Sequence, residues 1–153
     1  DYDYLLAEIA AYENNPVQQK FYTNQFLEAV KKPDYGDMYN KYVFSLLSDE
    51  PVYYHQALLI AEKEVHNRPT PQSYDLLAWA YYKNNQIALA LQIAESKLVK
   101  INFEPDALYH LGLVYKQNGN DKLAKRYLKE ALESSFELGP VVTKEIEQQL
   151  LNL

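Results

Sequence analysis

The chain has 153 residues, 48 % of them hydrophobic and 24 % charged, and 15 Lys and Arg against 21 Asp and Glu leave a net charge of −6. That composition is globular, and the acidic surplus argues against nonspecific nucleic-acid binding, which needs a basic surface to displace counterions. There is no Cys, which excludes disulfides, thiol chemistry and thiolate metal sites, and no apolar run reaches membrane-spanning length, so membrane insertion is not expected. The length suits one domain or one compact array. Four Gly and seven Pro favour long helices with short joints, and 15 Tyr are an anomaly that the fold has to absorb. The chain begins at Asp1, without Met and already inside a periodic pattern, and reads as a piece of a longer protein whose compartment is left open.

In chain order, residues 1–36 read as a divergent helix pair. DYDYLLAEIAAYENN and PVQQKFYTNQFLEAV are each periodic, joined at Pro16, and read as lacking small residues where the helices cross. Residues 37–70 form a second pair, with Val43, Phe44 and Leu47 inward. Sliding the register by one would bring Lys41 and Ser48 inside instead. In that unit ALLIAEKEV, from Ala57, echoes ALQIAESKL, from Ala90, with an insertion at the Glu50–Pro51 turn. Residues 71–104 and 105–138 then align without a gap, 34 positions apart. Pro71 meets Pro105, Leu77 meets Leu111, Ala78 meets Gly112, Tyr81 meets Tyr115, Asn84 meets Asn118, Ala90 meets Ala124 and Leu98 meets Leu132. Tyr74, Leu77, Ala78 and Tyr81 make one helical stripe, and Leu89, Ala90, Ile93, Ala94 and Leu98 make the next. KNNQ and KQNGN are the turns between them. Residues 139–153 start at Gly139–Pro140 and carry an apolar face of Val142, Ile146, Leu150 and Leu153, as a terminal cap does, with Lys144, Glu145, Glu147 and Gln148 mostly outside.

This pattern resembles the tetratricopeptide repeat. Leu108, Leu111, Gly112, Tyr115, Ala124, Leu128 and Ala131 match the marks of that family, as do Tyr74, Leu77, Ala78, Tyr81 and Ala90 one unit earlier. Ala94 and Lys97 depart, so the second helix of that unit is expected to pack less tightly. The resemblance implies an all-α solenoid of about nine helices in antiparallel pairs, wound as a right-handed superhelix. It implies a non-catalytic protein–protein interaction scaffold without a cofactor, taking a peptide or partner helix in its concave groove. One subclass clamps the C-terminal carboxylate of heat-shock chaperones with Lys, Asn and Arg. Its positions here are Lys41, Ser45, Leu76, Asp106 and His110, of which only Lys41 fits, so that clamp is rejected.

The stretch LLAWAYYKNN decides which rings line the groove. With Leu77, Ala78 and Tyr81 against the partner helix, Trp79 lies about 200° round the axis from Leu77, and Tyr82 comes close to Trp79. The first helices of a stack line its concave side. The expected groove residues are therefore Asp75, Trp79, Tyr82 and Lys83, then Tyr109, Leu113 and Lys116, and Lys41 from the preceding unit. Trp79, Tyr82, Tyr109 and Leu113 are expected to form one exposed apolar patch of the kind that marks interaction sites. The competing reading is that Trp79 only covers the preceding repeat. His55, His66 and His110 form no i, i+4 pair, and no glycine-rich phosphate loop or nucleophile–base spacing is visible, so neither a metal site nor an enzyme is expected. Two further readings stay open: a structural or homo-oligomeric spacer docking through its terminal helices, and a recruitment domain cut from an enzyme.

Overall fold

The computed structural model describes residues 2–32 and 35–153. The expected start of the first helix at Asp1 lies outside the described residues. Among them run nine α-helices: α1 (Tyr2–Tyr12), α2 (Pro16–Val30), α3 (Asn40–Ser48), α4 (Tyr54–Asn67), α5 (Pro71–Lys83), α6 (Ile87–Ile93), α7 (Pro105–Gln117), α8 (Asp121–Leu132) and α9 (Ser135–Leu151). They pack as antiparallel pairs, α1 on α2, α3 on α4, α5 on α6 and α7 on α8, in the manner of a tetratricopeptide-like helical repeat. Each following first helix packs on the pair before it, as α5 does on α4 and α7 on α6.

Three of the four joints have one geometry. Asn14, Asn85 and Gly119 hold φ of 54°, 58° and 77°, in the left-handed region that Asn and Gly tolerate best. The residue after each donates its N–H five positions back: Asn15 to Ala10 O at 2.9 Å, Gln86 to Tyr81 O at 2.8 Å, and Asn120 to Tyr115 O at 2.9 Å. This is the Schellman closure, which satisfies carbonyls left over at a helix end. It fixes the register between pairs, so Ala7 stands where Ala78 and Gly112 stand. The first pair thus has a small residue at its crossing after all: Ala7 and Ala10 are both buried. The fourth joint, between α3 and α4, is a 3₁₀ turn at Pro51–Tyr53, where the sequence carries its insertion.

Small residues matter because of what faces them. A methyl group added at Gly112 would sit 2.6 Å from Cγ and Cδ2 of Leu128 on α8 and 3.3 Å from its backbone nitrogen. Leu128 is fully buried, so any shift it makes must repack its neighbours. Ala78, Ala90 and Ala124 are equally enclosed. The helix starts are built as firmly. Pro71 takes the first position of α5, and Thr70 and Ser73 cap each other's backbone N–H at 3.2 and 3.1 Å. Asn102, also buried, accepts from Glu104 N and donates to Pro71 O, tying the start of α7 to that of α5. The departure at Ala94 and Lys97 takes the form of a π-helical turn over Ala94–Leu98 that ends α6, with Lys97 Nζ 5.1 Å from the centre of the Tyr74 ring.

Tyrosine joins the first pair to the rest. Phe26 is 1 % exposed and meets Tyr4, Tyr39 and Tyr42 edge-on, at centroid distances of 5.6, 6.0 and 6.5 Å. Aromatic rings favour such T-shaped contacts, and tyrosine lets their hydroxyls stay wet. On α3, Phe44 and Leu47 are inward and Val43 packs partly on the core, but Ser48 is also buried, and its hydroxyl has no hydrogen-bond partner. The alternative register therefore contributes one residue to the interior. At the far end, Gly139 adopts φ 74° and ψ 169°, breaking α9 before Pro140 and redirecting it. Its longer part then packs on α7, α8 and, at the other end of the chain, α1.

Gly112→Ala is expected to lower the unfolding free energy by about 1–3 kcal/mol, the range for overpacking a filled site. Urea titration measures this. In the double variant with Leu128→Ala the two losses should sum to less than their separate values; strict additivity would mean that the contact does not set the spacing.

Candidate interaction groove

The first helices α1, α3, α5 and α7 turn one side toward α9, and the residues expected in the groove gather there, but not as an open surface. Trp79, Tyr109 and Leu113 are 7, 6 and 4 % exposed, and Asp75 is 6 % exposed. The expected exposed apolar patch is thus corrected: three of its four members are closed in, and only Tyr82, with half of the patch's polar neighbours, remains half-buried. The physical reason is a stack. The Trp79 indole lies between Tyr82, 4.8 Å away at 9°, and His110 of α7, 4.1 Å away at 15°, with Tyr109 tilted against it at 5.8 Å. Lys83 Nζ closes one edge, 4.9 Å from the indole centre and 5.5 Å from that of Tyr54. Trp79 thus packs on the following repeat, through Tyr109 and His110 of α7.

Asp75 is buried for a polar reason. Both its carboxylate oxygens lie 3.0 Å from His110 Nδ1, across the α5–α7 interface. A buried carboxylate needs such a partner. The partner and the stacking mate of His110 sit 35 and 31 positions away, so no local spacing announces them. Lys41 is exposed on α3, and its own carbonyl accepts the Ser45 hydroxyl at 3.1 Å.

What fills the concave side is α9. Ile146 is fully buried, and Val142, Leu150 and Leu153 pack against the same core as Trp79, Tyr109 and Leu113. Lys116 Nζ donates to the side-chain oxygen of Gln149 at 2.7 Å and to its carbonyl at 3.4 Å. Glu145, expected mostly outside, instead faces the first helices. Burial, then the charge of Glu145 and hydrogen bonding to it, push the Tyr109 hydroxyl far above its ordinary range. Burial, Glu145 and Tyr54 raise Tyr82. Other carboxylates crowd the same space. Asp49, at the end of α3, is an exposed residue whose carboxyl is nonetheless partly desolvated, and that desolvation, with Glu145, Glu50 and Glu8, raises it against the pull of Lys83. Glu8 of α1, also exposed as a residue, is raised by partial desolvation of its carboxyl and by Asp106, against its bond with Tyr4. The groove is therefore aromatic along its floor. At its mouth Tyr54, Tyr82, Lys83, Asn85, Ile87 and Gln117 line an open recess of about 310 Å³.

Residues 105–137 match the tetratricopeptide repeat, so a repeat of that kind is present at α7 and α8. No curated protein and no solved structure matches the chain. Such repeats point to a protein–protein interaction module and to protein partners in general, and domains built from them are typically non-catalytic. Among the described residues no helix is long and apolar enough to cross a membrane.

The carboxylate crowding has a signed consequence. Asp49 and Glu8 are raised in the fold, so the folded chain takes up protons before the unfolded chain does. Their charged forms cost stability above their folded titration range, and that cost disappears below the ordinary carboxylate range near about 4. Asp49→Asn should therefore raise the urea midpoint at pH 7.5, with an advantage that narrows as pH falls toward about 4. The advantage is modest, because Asp49 keeps solvent contact. Asp37, held low by its bond to Lys63, moves the opposite way but cancels in the comparison. An advantage that widens with acid would contradict the crowding.

Proposed function

We propose that the chain is a non-catalytic protein-interaction module that takes a peptide or partner helix along its concave side. The observation that carries this reading is that a helix, α9, already lies there, with an apolar stripe on the aromatic floor and polar groups met by Tyr109 and Lys116. In this reading Tyr82, Lys83 and Lys116 meet the partner first, while Trp79, Tyr109 and Leu113 form the floor that anchors it. Asp75 fixes the floor through His110, and Lys41 lies at the outer end. Division into units at 1–36, 37–70, 71–104, 105–138 and 139–153 belongs to the same proposal.

Trp79→Ala is a poor probe of it, since truncating a buried Trp costs about 3–5 kcal/mol through the cavity left behind. The double variant Lys83→Ala, Lys116→Ala tests it better, because both residues are half-buried and polar at the tip. Peptides selected from a phage-displayed random library on the full chain should lose about tenfold or more in affinity for that variant, with the far-ultraviolet spectrum and urea midpoint nearly kept. Selected peptides that bind the variant equally well would remove the groove from the reading.

A second reading, a self-associating spacer, is favoured by one observation. Leu5, Ile9 and Tyr12 on α1, with Val17 and Phe21 on α2, leave large apolar groups 44–78 % exposed at the terminal pair. The spacing of Leu5, Ile9 and Tyr12 is that of a helix–helix seam. Sedimentation at rising concentration should then give a dimer that Ile9→Lys abolishes; a monomer throughout would retire this reading.

A further inference from the structure

On α1 the large side chains that face away from the core stand in a symmetric order. Tyr2, Leu5, Ile9 and Tyr12 are 73, 52, 44 and 61 % exposed. On a 3.6-residue helical period all four fall within about 80° of one another, on the side opposite the buried Ala7 and Ala10. They are spaced three, four and three apart, as the a and d positions of a helix–helix seam are. From either end the order is ring, aliphatic, aliphatic, ring, and both the inner and the outer pair are centred on Ala7.

The later units show how this side of a first helix is covered elsewhere. With Ala7, Ala78 and Gly112 as equivalent positions, Tyr2 corresponds to Ser73 and Ala107, and Ile9 to Ala80 and Val114. Those four are at most 4 % exposed, where α4 packs on α5 and α6 on α7. Their small or slender side chains let the second helix of the preceding unit come close. A ring at Tyr2 holds such a helix off. The outer face of α1 is therefore shaped to interdigitate with large side chains, and not for the flush seat that joins the later units.

A stripe that reads the same from both ends is self-complementary when two copies lie antiparallel, because a two-fold axis sends each residue to its mirror position in the order. We propose that the chain forms a two-fold dimer in which α1 packs antiparallel on α1 of a second copy. Leu5 of each copy meets Ile9 of the other, and Tyr2 of each meets Tyr12 of the other. This rests on the self-association reading above and names its contact. The aliphatic layers make a dry centre, and the rings close the ends where their hydroxyls reach water. A parallel pairing also matches ring with ring, but it sets the two helix dipoles side by side in one sense, whereas the antiparallel pairing opposes them.

The test is sedimentation of the full chain and of two variants, Leu5→Glu and Ile9→Lys. Both positions are exposed, and an acid in the first turn and a base in the last suit the dipole of α1, so far-ultraviolet spectra and urea midpoints should be kept. Each variant alone places two charges against aliphatic side chains, and each should weaken its dimer about tenfold or more. Mixed in equal amounts, the two should form a dimer tighter than either forms alone. In that dimer the introduced carboxylate meets the introduced ammonium in one layer, and the other Leu5–Ile9 layer is untouched. The parent dimer should tighten with salt, because each copy carries a net charge of −6 and the stripe itself carries none.

The outcomes separate this contact from self-association in general. A parent that dimerises while the mixed variants do not rescue each other would overturn the antiparallel register and leave self-association standing. A parent dimer indifferent to both substitutions, or weakened by salt, would place the contact on another surface and overturn the inference. A monomer at every concentration would retire the self-association reading, and this contact with it.

Discussion

The distance between the two helices of a pair is the constraint on which the rest of the molecule depends. At Gly112 there is room for hydrogen and nothing larger before Leu128 is met, and at Ala78, Ala90 and Ala124 the side chains are wholly enclosed. Close backbones make each pair thin, and thin pairs can stack in register so that first helices share a side. If any crossing were wider, the 34-residue spacing would no longer bring equivalent atoms to equivalent neighbours, and Trp79 would not find His110 beside it. The Schellman joints serve the same end. By closing each first helix at a fixed phase, they set which residue arrives at the crossing, so Ala7 falls in place even in a pair whose sequence has drifted.

Tyrosine explains itself once the pairs are placed. Two clusters carry much of it, and both lie at seams between units. Around Phe26, three tyrosines dock the first pair on α3 through edge contacts. Between α5 and α7, Tyr82 and Tyr109 flank Trp79. A third contact, Tyr115 stacked on Tyr127 at 5.5 Å, lies within the last pair, where burial and the charges of Glu95 and Tyr127 push the Tyr115 hydroxyl up to about 12. Seams need large apolar area yet run out to water at their edges, and a ring with one hydroxyl satisfies both demands.

Much of the architecture was legible because it is written in period and spacing. The helical stripes, the Asn and Gly turns, the prolines at helix starts and the gapless repeat all rest on local chemistry or on an offset that can be counted. The same arithmetic placed Trp79, Tyr82, Tyr109, Leu113, Asp75 and Lys116 on one side of the stack. It could not report how far that side is covered, because the cover comes from elsewhere in the chain. The His110–Asp75 pairing spans adjacent units, and Glu145 comes from a helix whose direction depends on the backbone of Gly139. The tight first crossing is hard to read for another reason: Ala7 is small, but Gln19 stands at the position held by Ala90 and Ala124 in the later pairs, so only half of the usual signal is present.

An apolar floor over a stack of this length cannot stay open without consequence. Large exposed aromatic patches invite nonspecific association. Drawing α9 over Trp79's neighbours removes that hazard: Ile146 is fully buried there, and Val142, Leu150 and Leu153 pack on the same core. Beside this apolar stripe the polar tie is Lys116 to the Gln149 side chain, at 2.7 Å. Gly139, where α9 breaks and turns, sets the direction from which the stripe arrives, so the cover depends on one backbone conformation as the crossings depend on one small side chain.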